Sequence, residues 1–406
     1  MGGEDERFID DKVSQVVTTR EHVGMQGDGP GARLVTNRAR DLGYAGARNM
    51  GLEPIAFHRT MPAYVPTPVI ELPQLAERSR VGVISVKNEQ DRLGLPSFKV
   101  LGSSWALHQR VKRVAGLPAD ALIPFAMLRA RIAELGRPTL CTASDGNHGR
   151  AIAALAEALG CGCVVFLPGD SAASRLDAIK SHGASVELVD GSYDEAVARA
   201  RVASGARNHW YCPDTVGPDA TGEERLFASD VMSGYATLFE ELFDQVERLP
   251  DLVFVQAGVG GLSAAAVSAV RRVSATAKVV IVEPQGSNAI ALSFAAGAPV
   301  AVPDVPTIMA CLRCQSVSGV AWPVLEAGVD GAMTVTDEEA AAAVRALAQA
   351  GVESGASGAA GLAGAMVTCA SEALRAGLGI SPNARVAVVN TEGATDPAST
   401  AAILTG

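Results

Sequence analysis

Residues 139–167 have the sequence TLCTASDGNHGRAIAALAEALGCGCVVFL, and this stretch decides the fold. It contains the apolar run Thr139–Thr142, a turn with two glycines, a helical pattern over Arg150–Leu159 and the apolar run Cys163–Leu167. Two parallel strands need a crossover of about a dozen residues or more between them, usually a helix. The stretch therefore predicts a strand–helix–strand unit with parallel strands.

Similar apolar runs recur on the C-terminal side of this unit. They are Ser185–Val189, Leu252–Gln256, Val279–Val282 and Arg385–Val389. Between them, Ser192-x-x-Glu195 and Thr336-x-x-Glu339 have the spacing of a capping box, which predicts that a helix begins at each. Alternating strands and helices predict an α/β protein with parallel sheets flanked by helices. Ligands of such sheets bind in a cleft at the ends of the strands.

The composition argues against a nucleic-acid or membrane protein. With 406 residues, of which 48% are hydrophobic, the chain is long enough for two domains. Its net charge of -10 would repel a nucleic-acid backbone. Residues 1–12 lack the apolar segment of a signal peptide, and no apolar run reaches the length of a membrane span. We therefore expect a cytoplasmic protein with neither a nucleic-acid nor a membrane partner.

The cysteines do not have the pattern of a disulfide framework or a metal site. Their number, seven, is odd, and the chain shows no signal peptide. Cys311-Leu312-Arg313-Cys314 is a CxxC motif, but no second such pair and no pair of histidines follows it to complete a tetrahedral zinc site. We expect no bound metal.

Lys99 is one of only six lysines in the chain. Apolar residues flank it in Gly94–Gly102, a setting in which an ammonium ion is costly and the pKa of the lysine is expected to fall. A neutral amine can attack an aldehyde to form a Schiff base. On this segment alone, however, a solvent-exposed lysine at the start of a helix is the better interpretation.

Asp145 lies in the turn Ser144–Gly149, SDGNHG, between a predicted strand and a predicted helix. The glycines let the backbone approach a ligand, and the free N–H groups at the start of a helix can bind an anionic oxygen. A carboxylate in such a turn can act as an acid, as a base or as the partner of a substrate ammonium group. The alternative is that Asp145 caps the helix.

The segment Gln256–Ser263, QAGVGGLS, follows a predicted strand and precedes an alanine-rich helix. Its N–H groups can cradle a phosphate, and Gly260 and Gly261 allow a close approach. The segment lacks the third glycine of the GxGxxG motif, but Glu283 ends the next strand, where a ribose-binding acid would lie. A dinucleotide site is therefore an alternative to a simple phosphate site.

Five segments between about residues 80 and 400 occur in an order that resembles the fold-type II pyridoxal-phosphate enzymes. They are VKNE at 86–89, PSFK at 96–99, SDGNHG at 144–149, the glycine loop at 258–261 and TEG at 391–393. The resemblance implies a two-domain fold like that of the tryptophan synthase β-subunit, with parallel sheets flanked by helices and the cofactor in the cleft. It also implies pyridoxal 5'-phosphate as the cofactor.

The resemblance assigns cofactor contacts residue by residue. Lys99 would carry the cofactor as a Schiff base, Asn147 would lie beside its ring hydroxyl group, and Thr391 would face its ring nitrogen. A hydroxyl at the last position, rather than a carboxylate, leaves the nitrogen largely unprotonated, a setting that the family uses for β-elimination and β-replacement. The residues implied as phosphate ligands are Gly258, Val259, Gly260, Gly261 and Leu262.

Within that superfamily the chain resembles the 2,3-diaminopropionate ammonia-lyases. The likeness lies in the aspartate of SDGNHG and in the segments Gly94–Gly102, Ser233–Phe239 and Thr307–Ala310. Those enzymes use two aspartates on opposite faces of the bound substrate, which implies acid–base roles for Asp145 and Asp214. Asp214 follows a proline, and the alternative is a turn aspartate.

The same resemblance implies the reaction. It is the α,β-elimination of 2,3-diaminopropionate, as the D and/or the L isomer, to pyruvate and ammonia, carried out by a homodimer. The residues implied as contacts of this small amino-acid substrate are Ser144, Asp145, His148 and Thr307.

Three departures from the family pattern leave the substrate open. Ala394 stands where an acid is expected, Ala236 replaces a glycine, and Arg313-Cys314 is unusual beside Thr307–Leu312. A serine or threonine dehydratase, or a β-replacement enzyme acting on an unusual amino acid, would use the same lysine. A nicotinamide-dependent dehydrogenase and a non-catalytic binding protein are further alternatives.

We expect the chain to be divided into an arm and two domains. Residues 1–30 are the arm, residues 31–101 and 207–406 form a large cofactor-binding domain, and residues 102–206 form a small α/β domain.

Overall fold

The structure of the protein is a computed structural model. It describes residues 25–26, 33–46, 53–144, 146–169, 171–191 and 193–406. Most of the predicted arm at 1–30 lies outside these ranges, and so do Asp145 and Ser192.

Within the described residues, twelve strands form two sheets. The strands are β1 Met25–Gln26, β2 Arg33–Thr36, β3 Val69–Glu71, β4 Val83–Asn88, β5 Thr139–Ala143, β6 Cys163–Pro168, β7 Ser185–Val189, β8 His209–Tyr211, β9 Leu252–Gln256, β10 Lys278–Pro284, β11 Gly331–Val335 and β12 Arg385–Asn390.

The larger sheet has eight strands in the order β1-β2-β11-β10-β9-β12-β4-β3. Its five inner strands, from β11 to β4, are parallel, whereas β2 and β3 run antiparallel to their neighbours β11 and β4. The smaller sheet has four parallel strands in the order β7-β6-β5-β8. The predicted α/β class with parallel sheets is confirmed.

Helices join and cover the strands of both sheets. Those in the described residues are α1 Pro54–His58, α2 Pro73–Arg78, α3 Lys99–Val114, α4 Phe125–Glu134, α5 Asn147–Leu159, α6 Ala173–Lys180, α7 Tyr193–Ser204, α8 Gly222–Gly234, α9 Ala236–Gln245, α10 Gly261–Val273, α11 Ala289–Ala296, α12 Trp322–Gly328, α13 Asp337–Gln349, α14 Ala356–Ala370, α15 Glu372–Leu378 and α16 Pro397–Thr405.

The core lies on both faces of the larger sheet. Every residue of β9 is buried, and successive side chains point to opposite faces. Val253 and Val255 belong to the hydrophobic cluster on one face, which includes residues of α10, whereas Leu252 and Phe254 belong to the cluster on the other, which includes residues of α14. Because both faces are covered, the central strands are continuous apolar runs, as the sequence shows.

The predicted strand–helix–strand unit is present as β5, α5 and β6. The capping box predicted at Thr336 is also confirmed, because the Thr336 hydroxyl accepts from the Glu339 amide and the Glu339 carboxylate accepts from the Thr336 amide. The box predicted at Ser192 falls on a residue outside the described ranges. In the described part of the chain, no helix combines the length and the apolar character of a membrane span.

The strand His209–Tyr211 belongs to the smaller sheet, where it pairs with Thr139–Ala143. A domain boundary at residues 206 and 207 would separate this strand from its sheet. The helix Lys99–Val114 likewise continues across the predicted boundary between residues 101 and 102. The predicted domain bounds therefore do not coincide with the division of the strands between the two sheets.

Candidate active site

The candidate site lies where several parallel strands end. In the larger sheet, β9, β12 and β4 are neighbours, and their carboxyl ends lead to the glycine loop, to Thr391 and to the segment before Lys99. The carboxyl end of β5 in the smaller sheet leads to Ser144 and Asn147. Ligands of parallel α/β sheets bind at such carboxyl ends.

Lys99 is the first residue of α3, and its Nζ donates a hydrogen bond to Asp214 Oδ2 at 2.8 Å. The side chains of the two residues are 23% and 13% exposed, so the ion pair is mostly removed from water. Burial by itself lowers the pKa of Lys99, but the charge of Asp214 outweighs it and the pKa is raised. The predicted fall in the pKa of Lys99 is therefore wrong for the lysine in its free form.

The pairing has the converse effect on Asp214. Burial favours the neutral acid, but the positive charge of Lys99 outweighs burial and lowers the pKa of Asp214 to about 2. Asp214 follows β8 in the smaller sheet, whereas Lys99 follows a segment that leads from β4 in the larger sheet. The ion pair thus connects the two sheets.

His148 is held by both ring nitrogens. Its Nε2 lies 2.8 Å from the carbonyl oxygen of Cys212, which can only accept, so Nε2 carries a proton. Its Nδ1 lies 3.3 Å from the Ser103 hydroxyl, in α3. Burial lowers the pKa of His148, so the imidazole is neutral at pH 7. The structure thus gives this side chain protein partners, and its predicted contact with the substrate stays a prediction.

Ser144 shapes the turn that precedes α5. Its hydroxyl oxygen accepts hydrogen bonds from the amides of Gly146 at 3.0 Å and Gly149 at 2.8 Å. These bonds fold the backbone so that Asn147 begins the helix. Asp145, which follows Ser144 in the sequence, lies outside the described residues, and its predicted acid–base role stays a prediction.

Asn147 contacts a buried acid that the sequence reasoning did not assign. Its amide Nδ2 donates to the carboxylate of Glu392 and lies 3.6 Å from Cys311 Sγ. Cys311 Sγ and the Thr395 hydroxyl also donate to this carboxylate, at 3.5 and 3.2 Å. Burial raises the pKa of Glu392. The only signal for Glu392 in the sequence is its place in the TEG motif, beside Thr391.

Thr391 is oriented by a residue that the sequence reasoning also missed. The amide nitrogen of Gln256, Nε2, donates to Thr391 Oγ1 at 3.1 Å. A hydroxyl group has one hydrogen, so a hydroxyl that accepts from an amide keeps that hydrogen for a further acceptor. Thr391 can therefore donate to an unprotonated ring nitrogen, as its predicted role requires.

The glycine loop packs closely against its surroundings and presents backbone N–H groups at the start of a helix. A Cβ on Gly258 would lie 2.8 Å from Cys314 Sγ, so no larger residue fits there without movement. Gly260 has φ +95°, in the left-handed region that favours glycine, and it precedes the first residue of α10. No side chain caps this helix, so its first N–H groups are available to an anion. The loop therefore fits a phosphate group.

Two other predicted residues are engaged elsewhere. The Thr307 hydroxyl donates to Asp337 at the start of α13, and its predicted contact with the substrate stays a prediction. The carboxylate of Glu283 accepts from the amides of Ile290 and Ala291 in α11 and is fully buried. It has no exposed oxygen for a ribose, so the dinucleotide alternative is not favoured.

The two cysteines of the CxxC motif lie at the candidate site. Cys311 lies against Asn147 and Glu392, and Cys314 lies against Gly258. The described residues contain no group of three or more His, Cys, Asp or Glu side chains placed to hold a metal ion.

Comparisons with known proteins agree with this geometry. A family model described as pyridoxal-phosphate dependent enzyme matches residues 60–392. The diaminopropionate ammonia-lyase of Salmonella typhimurium is 32% identical over 368 residues, which cover 86% of this chain and 90% of the relative. A chloroplastic threonine dehydratase of Arabidopsis thaliana is 29% identical, but the match covers only 42% of that protein.

A solved structure gives the same answer at the level of the fold. The holo form of diaminopropionate ammonia-lyase from Escherichia coli superposes with a TM-score of 0.83 and 29% identity, and the match covers 92% of this chain and 96% of that one. The chain therefore belongs to the family of pyridoxal-phosphate dependent enzymes, and pyridoxal phosphate is its cofactor.

Proposed function

We propose that the protein eliminates the β-amino group of 2,3-diaminopropionate. With one water molecule, the products are one pyruvate and two molecules of ammonia. The observation that carries the proposal is the similarity to diaminopropionate ammonia-lyase over 90% of the length of the Salmonella relative. The threonine dehydratase of Arabidopsis thaliana is less similar, at 29% identity over 68% of this chain against 32% over 86% for the ammonia-lyase, so the dehydratase alternative is not favoured.

The residues of the site fit the cofactor. Lys99 would carry it covalently, Asn147 would face the ring hydroxyl group, the loop 258–262 would hold the phosphate, and Thr391 would donate to the ring nitrogen. When bound, pyridoxal phosphate supplies a sink for the electron pair that remains when the α-proton of an amino acid is removed.

Asp214 is suited to proton transfer because its pKa depends on the state of Lys99. While the lysine is a free ammonium ion 2.8 Å away, its charge keeps the pKa of Asp214 low. When the substrate amine takes the place of Lys99 on the cofactor, Lys99 would be released beside Asp214 as a neutral amine, and without the ammonium charge burial would raise the pKa of the carboxyl group. A carboxylate with a raised pKa is a stronger base for the α-proton of the substrate.

Thr391 and Gln256 favour elimination over other reactions. Because Gln256 donates to the Thr391 hydroxyl, that hydroxyl keeps its hydrogen for the ring nitrogen, and it is a much weaker acid than a carboxyl group at that position would be. By leaving the ring nitrogen unprotonated, Thr391 would moderate the electron sink that the cofactor supplies, which would favour loss of the β-substituent. The expelled amine needs a proton, which a carboxylic acid at the site can donate.

The two-aspartate arrangement is proposed from the resemblance. Asp214 would act on one face of the bound substrate and Asp145 on the other, which allows both the D and the L isomer to react. We also infer a homodimer in the cytoplasm, as the resemblance implies. Light scattering of the purified protein, with twice the 41.7 kDa mass of one chain expected, tests the dimer.

Substrate profiling tests the proposed reaction. Purified protein with added cofactor is incubated with D- and L-2,3-diaminopropionate, L-serine and L-threonine, and keto acid and ammonia are measured. We expect the highest kcat/KM with an isomer of diaminopropionate and a ratio of two ammonia to one pyruvate. Lys99→Ala is the inactive control. A higher kcat/KM with serine or threonine would contradict the proposal.

A further inference from the structure

Tyr235 is a buried tyrosine at the site to which no role has been assigned. It lies at the junction of α8 and α9 and is 2% exposed. Among the described residues, its hydroxyl oxygen is buried and makes no hydrogen bond of normal geometry, although the Lys99 ammonium lies close enough to oppose the rise that burial causes in the pKa of Tyr235. A buried hydroxyl without a partner destabilises the fold unless a ligand supplies one. The unpaired hydroxyl therefore points to a ligand at this position.

Close packing fixes the ring of Tyr235. A Cβ on Gly102 would lie 2.5 Å from Cε1 and 2.8 Å from Cζ of the ring. A Cβ on Gly261 would lie 3.8 Å from Cε2, on the other edge. Phe98 packs against the ring edge-to-face, with the ring centroids 4.7 Å apart. The phenol is thus wedged between the first turn of α3 and the first turn of α10.

The electrostatics of this position favour an anion. Neither α3 nor α10 has a side chain that caps its start, so both present unsatisfied N–H groups. Lys99 Nζ lies 5.9 Å from the centroid of the Tyr235 ring. Burial raises the pKa of Tyr235 to about 12, so the phenol keeps its proton and can donate, with Lys99 and Asp214 as the charged groups nearby.

We propose that the Tyr235 hydroxyl donates a hydrogen bond to the phosphate group of the cofactor. Gly261 is the last glycine of the phosphate loop and the first residue of α10, and a Cβ added to it would touch the Tyr235 ring. The tyrosine thus adds a side-chain donor to a site otherwise made of backbone N–H groups. The proposal rests on the cofactor assignment and not on the identity of the substrate.

A comparison of two ligands tests the proposal. Cofactor-free protein, wild type and Tyr235→Phe, is titrated with pyridoxal 5'-phosphate and with pyridoxal, which lacks the phosphate, and the dissociation constant is read from the visible absorption of the lysine-bound ligand. The variant keeps the ring and removes only the hydroxyl. A hydrogen bond to a charged group corresponds to about tenfold weaker binding or more. We expect that loss for pyridoxal 5'-phosphate and a change within about twofold for pyridoxal.

Tyr44→Phe is the matched control, because the Tyr44 hydroxyl is also buried without a partner in the described structure, while the Tyr44 ring packs against Gly328 rather than against a glycine of the phosphate loop. It should bind both ligands as the wild type does. If Tyr235→Phe weakens the binding of both ligands equally, the hydroxyl contacts Lys99 or the pyridine ring rather than the phosphate. That result would overturn the proposal. Unchanged binding of pyridoxal 5'-phosphate would overturn it as well.

The result does not depend on the proposed reaction. A protein that binds pyridoxal 5'-phosphate with the expected dependence on Tyr235, but does not act on diaminopropionate, would contradict the proposed function alone. Thermal unfolding of the cofactor-free variant checks the fold, and a melting temperature close to that of the wild type is expected because the hydroxyl has no partner in the described residues.

Discussion

Lys99 and Asp214 show how one contact reverses the effect of burial on a charged group. The flanking sequence of Lys99 is apolar, and burial alone would lower its pKa. The carboxylate that reverses the shift comes from a position 115 residues away in the sequence. No local pattern around Lys99 contains that information, which is why the prediction of its pKa was wrong.

Removing the charge of Asp214 should lower the pKa of Lys99, as the apolar sequence around the lysine predicts. In Asp214→Asn, burial is no longer opposed, so the pKa of Lys99 should fall and the neutral amine should be present at lower pH. We expect the visible absorption of the lysine-bound cofactor to form rapidly at a pH where the wild type reacts slowly. The measurement is the pH dependence of that rate in cofactor-free protein.

Asp304→Asn is the control, because this aspartate forms a surface ion pair with Arg313. Its pH profile should match that of the wild type. An Asp214→Asn profile that coincides with the wild-type profile would show that the ion pair does not set the reactivity of Lys99.

Glu283 gives the stability of the protein a characteristic dependence on pH. Burial outweighs the hydrogen bonds from Ile290 and Ala291 and raises the pKa of Glu283 to about 8. Between pH 4.5 and 8 the folded state therefore binds more protons at this residue than the unfolded state, so the free energy of unfolding falls as the pH rises through this range. The fall is on the order of a few kcal/mol.

Glu283→Gln should remove that contribution. Chemical denaturation of wild type and variant at several pH values measures it, and we expect the wild type to lose stability relative to the variant between pH 5 and 8. The idea fails if the difference in the free energy of unfolding between the two proteins is constant over this range.

The sequence identifies a site residue when one short motif is enough to assign its role. Lys99, Asn147 and the glycines at 258–261 lie in motifs of the resembling family, and the structure places Lys99 and Asn147 at the first residues of helices and the glycines between β9 and α10. Glu392, Gln256 and Tyr235 were not assigned, because their roles depend on partners distant in the sequence. Their partners are Asn147, Thr391 and Gly102.

At the scale of elements, the strands that the sequence predicted best are apolar runs of five or six residues. Ser185–Val189 and Leu252–Gln256 have the predicted bounds, and Arg385–Asn390 differs by one residue. The inner strands β4 and β11 were not predicted, and neither were the short edge strands β3 and β8. These two edge strands have only three residues each and acquire their strand geometry from pairing with β4 and β5.

The start of α13 offers a test of a prediction made from spacing alone. Thr336→Ala removes the hydroxyl that accepts from the Glu339 amide and should lower the free energy of unfolding by about 1 kcal/mol. Thr405→Ala, at the end of the last helix and exposed, should cost much less. Urea denaturation measures both. Equal losses in the two variants would show that the capping box does not stabilise the protein.

At the scale of the whole molecule, the candidate site is built from both sheets. Asp214 and Asn147 follow strands of the smaller sheet, whereas Gln256 and Thr391 belong to strand ends of the larger one. The sequence predicted two such sheets from the order of strands and helices. It did not place His209–Tyr211 in the smaller sheet. This strand has only three residues, and the next strand along the chain, β9, belongs to the larger sheet. The division into domains at the predicted bounds stays a prediction.

A ligand that contacts both sheets should stabilise the whole protein. At a free concentration 100 times its dissociation constant, pyridoxal 5'-phosphate should add about 2.7 kcal/mol to the free energy of unfolding. We expect the melting temperature of the wild type to rise with cofactor and that of Lys99→Ala to rise much less. A rise of the same size in both proteins would contradict a covalent role for Lys99.

The most direct test of the central claim is the visible absorption spectrum of the protein with bound cofactor, followed after mixing with 2,3-diaminopropionate. The account predicts a visible band that depends on Lys99, that changes as substrate is added, and that returns when the substrate has been converted to pyruvate and ammonia. The band should be absent from Lys99→Ala. A spectrum with no visible band in the wild type, or a band that persists unchanged in Lys99→Ala, would contradict it.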